Sequence, residues 1–175
     1  MERVARRCEV ERILREVEAE AHHYLQRAIR LLEDAMRELE GGRLENASEK
    51  AWGAVVALVK YLAAVNIRKL AFNPNVVNPL KRYLLSRGIT GEAEVVKYIV
   101  PRSHKSLGVR AEQLERLGYE GLGRLFRDVS YLHSNYFYEG VTEEERDVAA
   151  RQVRDVCDRV GQFIEKLTGK DGHGS

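Results

Sequence analysis

The sequence predicts an all-α fold, one helical-bundle domain of five to seven helices. Three observations point there. Apolar residues recur at spacings of three and four along most of the chain. No alternating run is long enough to make a strand. The breaks between helical stretches are short and marked by Gly, Pro or Asn. At 175 residues the chain has the size of a single domain, assigned to 1–168. Residues 169–175 (GKDGHGS) read as a flexible tail with nothing to bury.

The first helix is expected from Arg3 to Glu40. Its apolar stripe is Ala21, Leu25, Ala28, Leu32, Ala35 and Leu39, and Gly41-Gly42 stops it. The second begins near Leu44–Ser48, where Asn46 and Glu49 resemble a capping box, and runs to about Ala71. Its segment AWGAVVALVKYLAAV is apolar nearly all round, which predicts a buried central helix containing Trp52 as a core residue. Phe72–Val77 reads as a turn. Asn78-Pro79 then supplies an N-cap and a first-turn proline for a helix ending at Gly88. A short helix from Gly91 to Val100 is stopped by Pro101. Ser103 caps a further helix ending at Leu117–Gly118, and Tyr119–Glu139 forms the next. Thr142 with Glu145 makes a capping box for the last helix, which extends to about Thr168.

Composition narrows the function classes. Met1–Glu20 is charged throughout and has no apolar core of the kind a signal peptide needs. The most apolar window, Ala51–Val65, is too short to span a bilayer and is interrupted by Lys60. A cytoplasmic protein that does not enter the membrane is expected. Cys8 and Cys157 are isolated, so neither a disulfide framework nor a cysteine metal site is suggested. Arg supplies 21 of the 29 basic residues and Glu 21 of the 27 acidic ones, a pairing typical of ion-pair networks in heat-adapted proteins. GC-rich coding produces the same bias. No P-loop, zinc spacing, nucleophile elbow or EF-hand loop is present. Gly118, Gly121 and Gly123 do not form a dinucleotide fingerprint, because no strand precedes them. No cofactor is expected. Glu18 and His22 share a helix face as a conceivable metal pair, but on a Glu-rich helix they read as solvated.

Charge is unevenly placed. Arg68–Arg110 carries nine Lys/Arg against Glu92 and Glu94, a local +7 in a chain of net +2. That segment is a candidate phosphate-facing surface, or simply a solvated one. Lys81, Arg82, Arg102 and Lys105 are the cations singled out. Ser103, His104 and Lys105 open a helix whose N-terminus can receive a phosphate.

Three blocks, ENASEKAWGAVVALVKYLAA, PRSHKSL and YLHSNYFYEG, in this order and spacing, resemble the PaREP family of archaeal helical proteins, which is grouped within the HEPN superfamily. The first block matches at Ser48, Glu49, Lys50 and Trp52, and the second at Ser103, His104 and Leu107. The third matches at Leu132, His133, Asn135, Tyr138, Glu139 and Gly140. The likeness covers most of the chain, from about residue 18 to 167. It implies an up-and-down, often dimeric bundle. Many HEPN members are metal-independent ribonucleases built on an Arg, a following polar residue and a His. Others are inactive modules that bind nucleotides or partner proteins. Arg127, Asp128 and His133 fit the Arg-polar-x4-His pattern.

Metal-free RNA cleavage needs proton transfer at two oxygens and positive charge at the phosphorus. Histidine and arginine supply these. Tyr131 and Ser130 add hydrogen bonds, and Tyr136 and Tyr138 offer faces for an unstacked base. Helix geometry opposes the assignment. Six steps of about 100° leave Arg127 and His133 about 120° apart. His133 instead lines up with Leu122, Phe126, Val129 and Tyr136 on the apolar stripe, where a histidine is usually a core residue. A helix distortion before His133, or a symmetric dimer, would unite the pair. The expected function is therefore RNA or nucleotide binding through residues 68–110. The alternatives are a toxin-like ribonuclease at Arg127/His133 and a dimerisation or protein-interaction module.

Overall fold

The computed structural model describes residues 2–169, so most of the expected tail lies outside the described residues. In chain order the helices are α1 (Glu2–Glu40), α2 (Leu44–Val65), α3 (Ile67–Ala71), α4 (Pro74–Leu85), α5 (Glu92–Ile99), α6 (His104–Arg116), α7 (Leu122–Leu132) and α8 (Arg146–Leu167). A π-helical turn, His133–Tyr138, follows α7, and a 3-10 turn, Glu143–Glu145, precedes α8. The described residues contain no strand. The all-α expectation holds, with eight α-helices among the described residues in place of five to seven.

The chain forms two compact units. One combines residues up to Leu25 with Val59–Tyr119, and the other combines Gln26–Leu58 with the chain from Glu120 onward. Both α1 and α2 contribute to each unit. In the first, Ile13, Leu14, Leu62, Ile67, Leu70 and Ile99 are almost wholly buried. In the second, Ala28, Ala35, Ala47 and Ala51 have no solvent exposure. Small residues let these helices approach closely: a Cβ on Gly53 would lie only 3.1 Å from Leu31 Cδ1.

Several local expectations are met. Gly42 takes φ +71, and the turn is closed by Gly42 N–H to the Leu39 carbonyl at 3.0 Å and Arg43 N–H to the Glu38 carbonyl at 2.9 Å. Ser103 caps α6, its hydroxyl accepting from Ser106 N–H at 3.3 Å. Thr142 and Glu145 form the reciprocal box before α8, with Thr142 N–H donating to the Glu145 carboxylate at 3.0 Å.

Two boundaries and one cap differ from expectation. The second helix starts at Leu44, within the expected stretch, but Asn46 lies inside α2 and its amide donates to the Glu38 carboxylate at 3.4 Å instead of capping the helix. That helix also ends at Val65 instead of continuing to Ala71. Asn66, which is 6% exposed, donates its side-chain amide to the Leu62 carbonyl and to the Tyr119 hydroxyl, both at 2.8 Å. A side chain that bonds the preceding turn and a distant phenol gives the backbone an alternative to the regular ladder. Finally, α4 starts at Asn73-Pro74 and not at Asn78-Pro79. Asn73 Oδ1 accepts from Asn75 N–H at 3.0 Å, and Pro79 lies within the helix. The two Asn-Pro pairs have the same local chemistry, and the earlier start brings Val76 into the helix as a buried residue, 3% exposed.

Candidate functional site

The basic segment sorts into cations held inside the fold and cations left at the surface. Arg68 is held. Its Nη1 and Nη2 donate to the two carboxylate oxygens of Glu11 at 2.9 Å each, and its Nε donates to Glu18 at 2.6 Å. The Arg68 hydrogen bonds, followed by those from Arg15, depress the Glu11 carboxyl to about 2. This bidentate clamp ties α3 to the N-terminal half of α1. Arg110 is also held, 5% exposed, with Nε donating to the Ile99 carbonyl at 2.7 Å and Nη1 to Gln113. Burial lowers its pKa to about 10. Lys97 pairs with Glu94 at 2.8 Å.

The other six basic residues of the segment, Lys69, Lys81, Arg82, Arg87, Arg102 and Lys105, are exposed. Local charge counting missed this division because the acids that neutralise Arg68 come from α1. Aromatic rings lie among the exposed cations. Arg87 sits 5.0 Å above the ring of Tyr83, which is 50% exposed, and Arg102 sits 4.9 Å above the ring of Tyr98. Neither tyrosine was singled out from sequence, although the i, i+4 spacing of both pairs was there to be read. At the start of α6, Ser103, His104 and Lys105 are all exposed, beside the Ser103 capping box already described.

The second candidate lies in the other unit. Gly121 leads into α7, and Arg127 is exposed on it. Asp128 accepts from Arg159 Nη1 at 2.9 Å, while Arg159 Nη2 donates to Asp155 at 2.8 Å. A groove of about 470 Å³ lies along this network, lined among others by Asp128, Tyr131, Leu132, Gln152 and Arg159. His133 is 6% exposed, and its ring stacks on Trp52 at 4.4 Å between centroids, tilted by 14°. It also stacks on Phe137 at 5.3 Å and meets Tyr138 edge-on at 4.8 Å.

Leu132 and His133 have ordinary α-helical angles (φ −60, ψ −44 and φ −62, ψ −44). The π-helical widening therefore begins at His133 and not before it. The regular helix leading up to it keeps the offset of about 120° from Arg127. A distortion before His133, one of the two routes that would unite the pair, is not what the backbone shows. Tyr136 is 6% exposed and donates its hydroxyl to Gln152, with burial raising its pKa. The exposed tyrosines of this region are Tyr131 at the end of α7 and Tyr138 in the turn.

Other candidates resolve simply. Glu18 is taken by Arg68, and His22 Nδ1 lies 3.0 Å from the Ala19 carbonyl. Among the described residues no cluster of His, Cys, Asp or Glu could hold a metal ion, and no helix is long and apolar enough to cross a membrane. Cys157 is buried, which pushes its thiol up to about 12.

Two of the three recognised blocks meet here. Trp52 from the first stacks on His133 from the third, and Glu45, also of the first, accepts from Val141 N–H at 3.2 Å. A family model described as the archaeal PaREP1/PaREP8 family matches residues 23–157. No curated protein and no solved structure matches the chain.

Proposed function

Because the chain belongs to the archaeal PaREP1/PaREP8 family, and that membership fixes no activity, we propose a function from the chemistry of the exposed surface: binding of RNA or a nucleotide through phosphate. The observation that carries this is α4. No Asp or Glu occurs between Arg68 and Gly91, and Lys81, Arg82 and Arg87 are exposed at and just beyond the end of that helix. Exposed and in a stretch with no acid of its own, these cations are open to phosphate oxygens, and neutralising phosphates releases condensed counterions. Arg102, Ser103, His104 and Lys105 extend the same chemistry to the start of α6. The test is titration of RNA at several salt concentrations. The parent should bind with a steep salt dependence. The triple variant Lys81→Ala, Arg82→Ala, Lys105→Ala should weaken binding and lower the slope by about two, at roughly 0.7 per phosphate contact on a single strand. No binding even at low salt would refute the proposal.

A second reading is favoured by the π-helical turn that starts at His133, since such turns recur at functional sites. Here the chain is a HEPN-like bundle and a metal-independent ribonuclease that works as a symmetric homodimer. Arg127 would stabilise charge on the phosphate, His133 would move the proton, and Asp128 would orient its neighbours. Because His133 is nearly sealed and Asp128 is engaged by Arg159, the turn would have to open for this chemistry. RNA cleavage in EDTA that disappears in His133→Ala at unchanged thermal stability would support it. Loss of stability in that variant, with no cleavage by the parent, would leave His133 as a core residue.

A further inference from the structure

The basic segment contains one device twice. Tyr83-x-x-x-Arg87 and Tyr98-x-x-x-Arg102 share the same spacing, and each places its guanidinium about 5 Å from the centre of its own tyrosine ring (5.0 and 4.9 Å). Both arginines lie just past a helix end, α4 in one case and α5 in the other, and α4 packs against α5. Elsewhere the usual helical partner of an arginine in this chain is a carboxylate, as in Arg12–Glu16, Arg15–Glu11 and Arg159–Asp155. For Arg87 and Arg102 the partner is a ring. Tyr83 is half-exposed, and both arginines are exposed. Arg102 of the second pair lines a groove of about 300 Å³ together with Lys60, Lys97, Glu16, Glu20 and Tyr24.

We propose that the two Tyr–Arg pairs are base-stacking platforms for single-stranded nucleic acid, each taking one nucleobase. This rests on the phosphate-binding function proposed above and specifies its ligand. A guanidinium lying over a phenol forms a flat, cationic, partly desolvated plate. The ring lies on one side of the cation, a base can stack on the pair, and the N–H groups still reach phosphate. Only an unpaired strand can offer base faces to such plates, because in a duplex those faces are stacked within the helix. Recognition through π-faces tolerates any sequence, since every base has one.

The experiment titrates the full chain against three labelled probes: a short adenosine oligoribonucleotide, an abasic ribose-phosphate oligomer of equal length, and a duplex. The adenosine strand should bind about ten-fold tighter than the abasic oligomer, the effect expected of base–aromatic stacking. It should also bind tighter than the duplex. Tyr83→Ala should remove several-fold of the preference for bases, and Tyr83→Phe should restore most of it. The double variant Tyr83→Ala, Tyr98→Ala, checked by circular dichroism for retained helix, should close the gap to the abasic oligomer. Equal binding of abasic and base-bearing strands overturns the stacking platforms and leaves phosphate binding standing. So does a duplex that binds as tightly as the single strand, or a Tyr83→Ala loss shared by all three probes. Failure of every probe to bind at low salt overturns both proposals.

Discussion

The α4–α6 surface and the turn at His133 contain the same kinds of side chain: arginines, tyrosines and a histidine. They dispose them in opposite ways. On that surface Lys81, Arg82, Arg87, Arg102 and Lys105 are exposed, and Arg87 and Arg102 each lie over a tyrosine ring. At the turn, Asp128 is bound by Arg159, Tyr136 by Gln152, and His133 lies against Trp52 and Phe137. The contrast separates two demands that look alike in a sequence. Binding a polyanion requires charge that the fold has left unspent. A packed turn requires its polar groups to find partners inside the chain, because a buried group without one is costly. The stretch that looks most catalytic in the sequence is thus the more fully engaged of the two.

That contrast can be broken by measurement. The largest expected effect is at the stack. Trp52 is half-buried and not fully in the core. Trp52→Ala, which removes the indole stacked on His133, should therefore lower stability by about 2 kcal/mol in urea unfolding, less than the cost of deleting a fully buried aromatic. A loss below about 0.5 kcal/mol would mean that the turn is not held by packing.

An intermediate effect is expected at the Arg68 clamp, where one basic residue of the segment has been drawn into the fold. The folded Glu11 carboxyl sits at about 2, below the ordinary value of 4.5, so its contribution to stability is complete above pH 4.5 and is lost as pH falls toward 2. Thermal melts should therefore fall across that window, and Arg68→Met should flatten the decline. An identical decline in the variant would remove the clamp from the account. The smallest effect belongs to the exposed surface: Arg82→Ala should stay within about 0.5 kcal/mol of the parent in the same unfolding assay while weakening RNA binding.

The features legible in the sequence are those set by adjacent residues. Gly42 after α1, Ser103 before α6 and Thr142 with Glu145 before α8 are each decided within a few positions. The start of α4 was not legible in this way. Two Asn-Pro pairs carry the same local signal, and only the burial gained by Val76 separates them. Asn66 breaks the long second helix through Tyr119, which no window around Asn66 contains. The +7 of the basic segment was counted correctly but overstated the available charge, since Glu11 and Glu18 lie more than forty residues upstream of Arg68. The π-helical turn has no composition of its own. The partner of His133 is Trp52, a residue the sequence marked as core without indicating what it would touch.

Trp52 is the chain's sole tryptophan, and it lies against the one histidine on which the nuclease reading depends. Excited at wavelengths that its eight tyrosines do not absorb, the unlabelled protein therefore emits from a single neighbourhood. A shift in the colour or lifetime of that emission, with added oligonucleotide or with pH, registers whether that ring has parted from the indole, and the molecule needs no dye to say so.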